Sequence, residues 1–197
     1  MNRLTPTAEQ TALIEEILKA PYPVTFGIAA RKLGTTPLEA ARLMPESAVA
    51  FVEGDAAERF ADVWAALAQW EKATLFVVHA GNVFEIEGKI STGKAARGYY
   101  NILSKNAAIG GHINYLDLEA IVFASLPFMN RESLSVQFFN KAGEAAFAVY
   151  AGRENHRSSI RCAKRSWRRV ERSAAPRNKP PVHPLPYRHV SARTCDR

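Results

Sequence analysis

The chain has 197 residues, 47% hydrophobic, 10% aromatic and 23% charged, an ordinary globular composition for one core or two small ones. No apolar run approaches the roughly 20 residues of a membrane span, and the N-terminus opens on a polar Thr-Pro-Thr-Ala-Glu-Gln cluster where a secretory leader would be basic and then apolar. The net charge of +7 divides unevenly: residues 157–197 hold 12 Lys and Arg against 2 Asp and Glu, a net of +10, so residues 1–156 hold 14 against 17, a net of −3.

Thr7 and Gln10 stand at capping-box spacing, and Leu13, Ile14, Ile17 and Leu18 then follow a helical period until Pro21 and Pro23 stop it. A second helix runs over residues 25–33 and closes at Gly34. A third starts at Thr36 with Pro37 in its first turn and Glu39 three residues on from the cap, and Pro45 ends it. After an extended stretch at 48–52, Phe60, Val63, Trp64 and Leu67 recur at i, i+3, i+4 and i+7 and predict a fourth helix. Residues 1–70 are therefore mostly helical, with Trp64 and Trp70 read as core residues.

From Ala73 the period shortens. Strands are expected at 75–79, 83–87, 99–103, 113–115, 118–126, 134–139 and 145–150, separated by Gly, Asn and Lys-Ala-Gly turns. Strands in immediate succession leave no room for parallel crossovers, so the class is α+β: N-terminal helices followed by a largely antiparallel sheet. Phe84 and Ile86 alternate with Glu85 and Glu87, which predicts one packed and one available face. Ile160, Ala163, Trp167 and Val170 could form one narrow helical stripe, so the tail is expected to be helical at most to about residue 172. Residues 173–197, with Pro176, Pro180, Pro181, Pro184 and Pro186, show no period and are expected to be disordered. Both cysteines, Cys162 and Cys195, lie in this tail, so the body has no disulfide framework and reads as cytoplasmic.

No phosphate loop, nucleophile elbow or zincin spacing occurs, and the body has no cysteine to act as nucleophile or zinc ligand. The body histidines are His79, at the end of an apolar strand, His112, after Gly110 and Gly111, and His156. The bland reading of each is a structural histidine, and His156 is assigned to capping or surface contacts. His79 is expected on the stiffer support and His112 on a more mobile segment.

Several blocks in order resemble the HutX/ChuX family of intracellular haem-utilisation proteins. They are Val-His-Ala-Gly-Asn-Val-Phe-Glu-Ile-Glu-Gly at 78–88, Gly-Tyr-Tyr-Asn at 98–101, Gly-His-Ile at 111–113, Gln-Phe-Phe-Asn-Lys-Ala-Gly at 137–143 and Tyr-Ala-Gly-Arg-Glu-Asn-His-Arg at 150–157. The likeness runs over residues 33–157 and includes the Leu-x-x-x-Arg-x-Met-Pro ending of the third helix. It implies a fold like one half of the two-repeat HemS/ChuS-type proteins, used here as a homodimer. It also implies a cytoplasmic haem carrier that hands its cargo to a haem-accepting or haem-degrading partner. The family's haem-binding histidines carry over to His79 and His112 as axial iron ligands, with His79 expected to be the likelier of the two. Tyr99 and Tyr100 become secondary contacts, Tyr100 standing where the family pattern allows Phe.

These expectations agree with what haem requires: axial imidazole or phenolate, apolar walls, and cations or solvent at the propionates. Tyr99, Tyr100 and Tyr115 carry phenols, and Lys89, Lys94 and Arg97 flank the turn between two motif blocks. Phe138 and Phe139 point to opposite sheet faces, so at most one lines a given slot. The domain is placed at 1–157, and the basic Pro/Arg-rich tail at 158–197 departs from the family in a way that a reading-frame shift would produce. Two rivals remain: a haem-degrading enzyme fed by an external reductant, and a helix-turn-helix DNA regulator built on the second and third helices. The latter is opposed by a recognition helix that carries Glu39 and only Arg42.

Overall fold

The computed structural model describes residues 3–103 and 107–152. The expectations for the basic tail, its helical stripe, its cysteines and His156 lie outside the described residues. Four helices, α1 (Ala8–Leu18), α2 (Phe26–Leu33), α3 (Pro37–Leu43) and α4 (Ala56–Leu67), accompany nine strands among those residues. All strand pairings are antiparallel, and they form two sheets. The larger has the order β1 (Val49–Phe51), β7 (Leu118–Phe128), β8 (Arg131–Asn140), β9 (Ala145–Ala151), β2 (Ala73–His79), β3 (Asn82–Gly88). The smaller has the order β4 (Lys94–Ala96), β5 (Tyr99–Ile102), β6 (Gly111–Ile113). The α+β class stands. Strand β4 was not expected, and Tyr115 begins a 3-10 turn, Tyr115–Asp117, where a strand end was expected. No helix among the described residues is long and apolar enough to cross a membrane.

The N-terminal helices form where the sequence caps them. Thr7 and Thr36 each accept from the backbone N–H three residues on, while Gln10 and Glu39 reach back to the cap N–H. Asp55 accepts from Glu58 in the same way at the start of α4. Each such cap satisfies donors that a helix start otherwise leaves open and contributes about 1 kcal/mol. Ile14 and Ile17 of α1, Phe26 and Leu33 of α2, and Leu38 of α3 are buried in one cluster with Val122, Ala124 and Phe139. Four of the seven α3 residues, Leu38, Ala40, Ala41 and Leu43, are buried. The residues left on its outer side are Pro37, Glu39 and Arg42, a poor donor set for reading a DNA groove.

Strand β7 explains the arrangement of layers. Its residues Ala120, Val122, Ala124 and Leu126 belong to the helical cluster, while Ile121 and Phe123 belong to a second cluster on the other face. Alternating side chains of a strand point to opposite faces, so a run apolar at nearly every position marks a strand covered on both sides. On the second face lie α4, with Phe60, Val63, Trp64 and Leu67, and the inner face of the small sheet, with Tyr100 and Ile102.

An aromatic set joins α4, the small sheet and the large sheet. Phe60 stacks on Trp64 and meets Tyr100 edge-on at 5.1 Å between centroids, and Phe138 stacks on Phe147 at 4.3 Å. The Trp64 indole N–H donates to the Ser91 carbonyl at 2.9 Å, and the Gly93 N–H donates to the Tyr100 hydroxyl at 2.9 Å. These bonds fix the chain as it passes from β3 into β4. Gly93 is required there because a Cβ would stand 2.3 Å from the Asn101 carbonyl oxygen and 2.7 Å from the Tyr100 ring.

Gly93→Ala should therefore lower stability by about 3 kcal/mol, as overpacking against backbone does. Gly34→Ala should cost only about 1–2 kcal/mol, because its space is open and just the left-handed φ of 65° opposes a side chain. Urea denaturation of both variants checks this, and equal losses would contradict the close packing assigned to Gly93.

Candidate functional site

The β2–β3 hairpin turns through Ala80 and Gly81, both at positive φ (49° and 78°), the geometry of a tight two-residue turn. The register pairs Leu75 with Ile86, Val77 with Phe84 and His79 with Asn82. Paired residues share a face, so these six lie together. Leu75, in turn paired with Val149, places them on the α4 side of the large sheet. Here the structure corrects the sequence expectation. The face carrying Phe84 and Ile86 is not packed: Phe84 is 53% and Ile86 37% exposed. The hairpin extends past the elements that cover β7 and β8, so alternation sorts its side chains without burying either set.

His112 approaches from the small sheet. It pairs with Asn101 of β5, which pairs with Lys94 of β4, so Lys94, Asn101 and His112 form one cross-strand row on the outer face. Tyr99, two residues from Asn101, shares that face and meets the His112 ring edge-on at 6.3 Å. The His112 Nδ1 lies 2.6 Å from the Asn101 side-chain oxygen. The imidazole is thus held at one nitrogen and on one side of its ring.

Beside His112 a cleft of about 300 Å³ runs between β6 and the large sheet. Leu75, Val77, Ile113 and Phe147 supply apolar walls, and Asn114, Asp117 and Asn140 supply polar groups. Two residues beyond Val77, about 7 Å along the strand, His79 stands on the same face at the end of β2, exposed. His112 is among the residues that line the cleft, and His79 lies outside it, two residues beyond Val77 on the sheet face whose exposed strip carries Phe84 and Ile86. A flat apolar ligand larger than the cleft would extend onto that strip. The chemistry of this donor set, two imidazoles beside apolar surface, fits a metalloporphyrin.

The expected secondary residues separate. Tyr99 lies with His112, whereas Tyr100 is buried at 4% exposure on the opposite face, its hydroxyl occupied by Gly93. Tyr100 is therefore corrected from ligand contact to core residue, because adjacent strand positions face opposite ways. Tyr115 is half-buried against Phe60. Phe138 and Phe139 are both fully buried, and it is Phe147, stacked on Phe138, that reaches the cleft. Lys89 and Arg97 are exposed. Lys89 follows the end of β3 roughly 20 Å from the turn where His79 sits, so of the three cations Lys94 alone shares the His112 row. On the far face of the sheet, burial pushes the Tyr150 phenol up, against the Gln137 amide that donates to it, so this tyrosine stays protonated.

His79 ends an uncovered hairpin, and His112 is fixed by Asn101 and Tyr99. Asn101, quoted within the 98–101 block without a role, and the strip of Phe84 and Ile86 are the site features that sequence reasoning missed. The in-register pairing of Asn101 with His112 is nonlocal and leaves no sequence signal.

Comparison with known proteins places these features in context. The family model for haem utilisation ChuX/HutX matches residues 54–169, so the match continues into the tail beyond the break expected after Arg157. The intracellular heme transport protein HutX of Vibrio cholerae is 34% identical over 161 residues, covering 81% of this chain and 82% of that protein. The structure of the heme-binding protein ChuX is 27% identical with a TM-score of 0.66, covering 84% of this chain and 98% of that one. ChuS, an E. coli heme oxygenase, shares the fold at 15% identity and a TM-score of 0.66, with 85% of this chain matching 50% of its length.

Proposed function

The chain belongs to the ChuX/HutX haem-utilisation family, and on that premise we propose that it is an intracellular haem carrier whose cargo lies in the cleft beside His112 and over the hairpin strip. What supports this reading is the family relation together with an apolar cleft that His112 lines and the exposed apolar strip on the hairpin face that ends at His79. The haem-binding body is assigned to residues 1–157, and the basic tail at 158–197 to no part of the site. The carrier passes haem to an acceptor or a haem-degrading partner.

In this reading His112 is the principal iron ligand and His79 the second, donating from the hairpin end. Leu75, Val77, Phe84, Ile86 and Phe147 hold the porphyrin plate. Burial of such surface stabilises the complex by roughly 25 cal/mol per Å². Lys94, in the His112 row, faces a propionate with Arg97 near it. Carriage ranks above catalysis because the chain has no flavin or nicotinamide motif to deliver electrons. The related HutX bears the name of a transport protein.

Titration with hemin, followed by the Soret band, tests the ligand assignment. His112→Ala should weaken binding by about a hundredfold, His79→Ala by less, and the double variant should leave only salt-sensitive adsorption. A double variant with the wild-type spectrum, together with a Tyr99→Phe spectrum that changes, would move the ligand to a phenolate.

The second part of the proposal is a homodimer. Strand β3 is the outer strand of the six-stranded sheet, and Val78, Val83, Phe84 and Ile86 leave apolar surface on both faces of that edge. Such edges are usually paired or covered. The chain's fold corresponds to half of ChuS, so a second copy supplies what the longer chain carries itself. Light scattering should report twice the chain mass, and a clean monomer at micromolar concentration contradicts the dimer.

A further inference from the structure

We propose that Asn101 is a positioning residue that sets the tautomer of His112, placing the proton on Nδ1 and leaving the Nε2 lone pair for iron. The inference rests on the reading of His112 as an iron ligand and deepens it. It starts from the orientation of the Asn101 amide. The Nδ2 group lies 3.2 Å from the Lys94 carbonyl oxygen, 3.0 Å from that of Ala96 and 3.0 Å from that of Tyr99. An amide nitrogen donates and a carbonyl oxygen only accepts. Turned the other way, the Asn101 side-chain oxygen would face three acceptors. The carbonyls of β4 and β5 therefore fix Oδ1 on the opposite side, against His112 Nδ1 at 2.6 Å. An acceptor at that distance demands a proton on Nδ1. Nε2 is then the basic nitrogen, and Tyr99, edge-on to the ring, restricts its rotation.

This arrangement has a chemical consequence. The partner behind a ligating imidazole tunes its donor strength, and a carboxylate there increases it. Asn101 orients the ring without a negative charge, so the imidazole stays a neutral donor of moderate strength. That suits cargo that must leave again, whereas a carboxylate would favour oxygen activation at the iron. The three carbonyls that hold Asn101 belong to strands β4 and β5, joined by a turn in which Arg97 and Gly98 are both at positive φ (54° and 80°).

Long-range proton–nitrogen NMR on the haem-free, full-length protein, at a pH well above the ordinary imidazole value, reads the tautomer directly. The His112 signals should show Nδ1 protonated and Nε2 as the lone-pair nitrogen, opposite to the tautomer that free histidine prefers. In Asn101→Ala, checked for intact fold by circular dichroism, the pattern should revert toward Nε2 protonation, and hemin affinity should fall about tenfold. A wild-type spectrum with Nε2 protonated overturns the inference without requiring any variant to fold. An Asn101→Ala variant that folds and keeps both tautomer and affinity overturns it as well. Failure of the underlying ligand reading looks different: His112→Ala would then leave the hemin spectrum unchanged while the wild-type tautomer remained on Nδ1.

Discussion

The site depends on where the covering layers stop. Strands β7 and β8 are buried on both faces, by α1 to α3 on one side and by α4 with the small sheet on the other. The β2–β3 hairpin runs beyond both layers, yet its sequence keeps apolar residues at alternate positions. Beyond their cross-strand neighbours in the hairpin, these side chains stay exposed at Val78, Val83, Phe84 and Ile86. Monomeric proteins rarely keep such patches without a use. Here the patch lies on the hairpin whose first strand ends at His79, near the cleft that His112 lines.

The small sheet is the second element that the site requires. It is anchored by Tyr100 and Ile102 in the α4 cluster and by the bonds from Trp64 to Ser91 and from Gly93 to Tyr100. With its inner face fixed, its outer face presents Tyr99, Asn101 and His112 as one unit. His112 is therefore supported across three strands, and His79 by the end of one hairpin.

Much of the fold was legible because its signals are local. Capping boxes at Thr7 and Thr36, the stripe from Phe60 to Leu67 and the change of period at Ala73 each depend on neighbours within one turn or one strand. The division into two sheets was not legible, because it depends on pairings such as Ala73 with Ala151. Strand β4 has three residues, none of them β-branched, and escapes detection by composition. At the candidate site, the placement of the residues was not legible. The alternation rule that separates Phe138 from Phe139 applies equally to Tyr99 and Tyr100 and assigns them opposite faces. Alternation also sorts Phe84 and Ile86 correctly, yet whether anything covers their face is a property of the whole fold.

The family relation marks a haem-utilisation protein, and the proposal made for it is that it holds haem intact. The most direct test is the absorption spectrum of the hemin complex after ascorbate is added in air. A carrier should keep an intense Soret band, shifted as the iron is reduced. Bleaching of that band with growth of a bilin absorption would contradict the account and make the protein a haem-degrading enzyme.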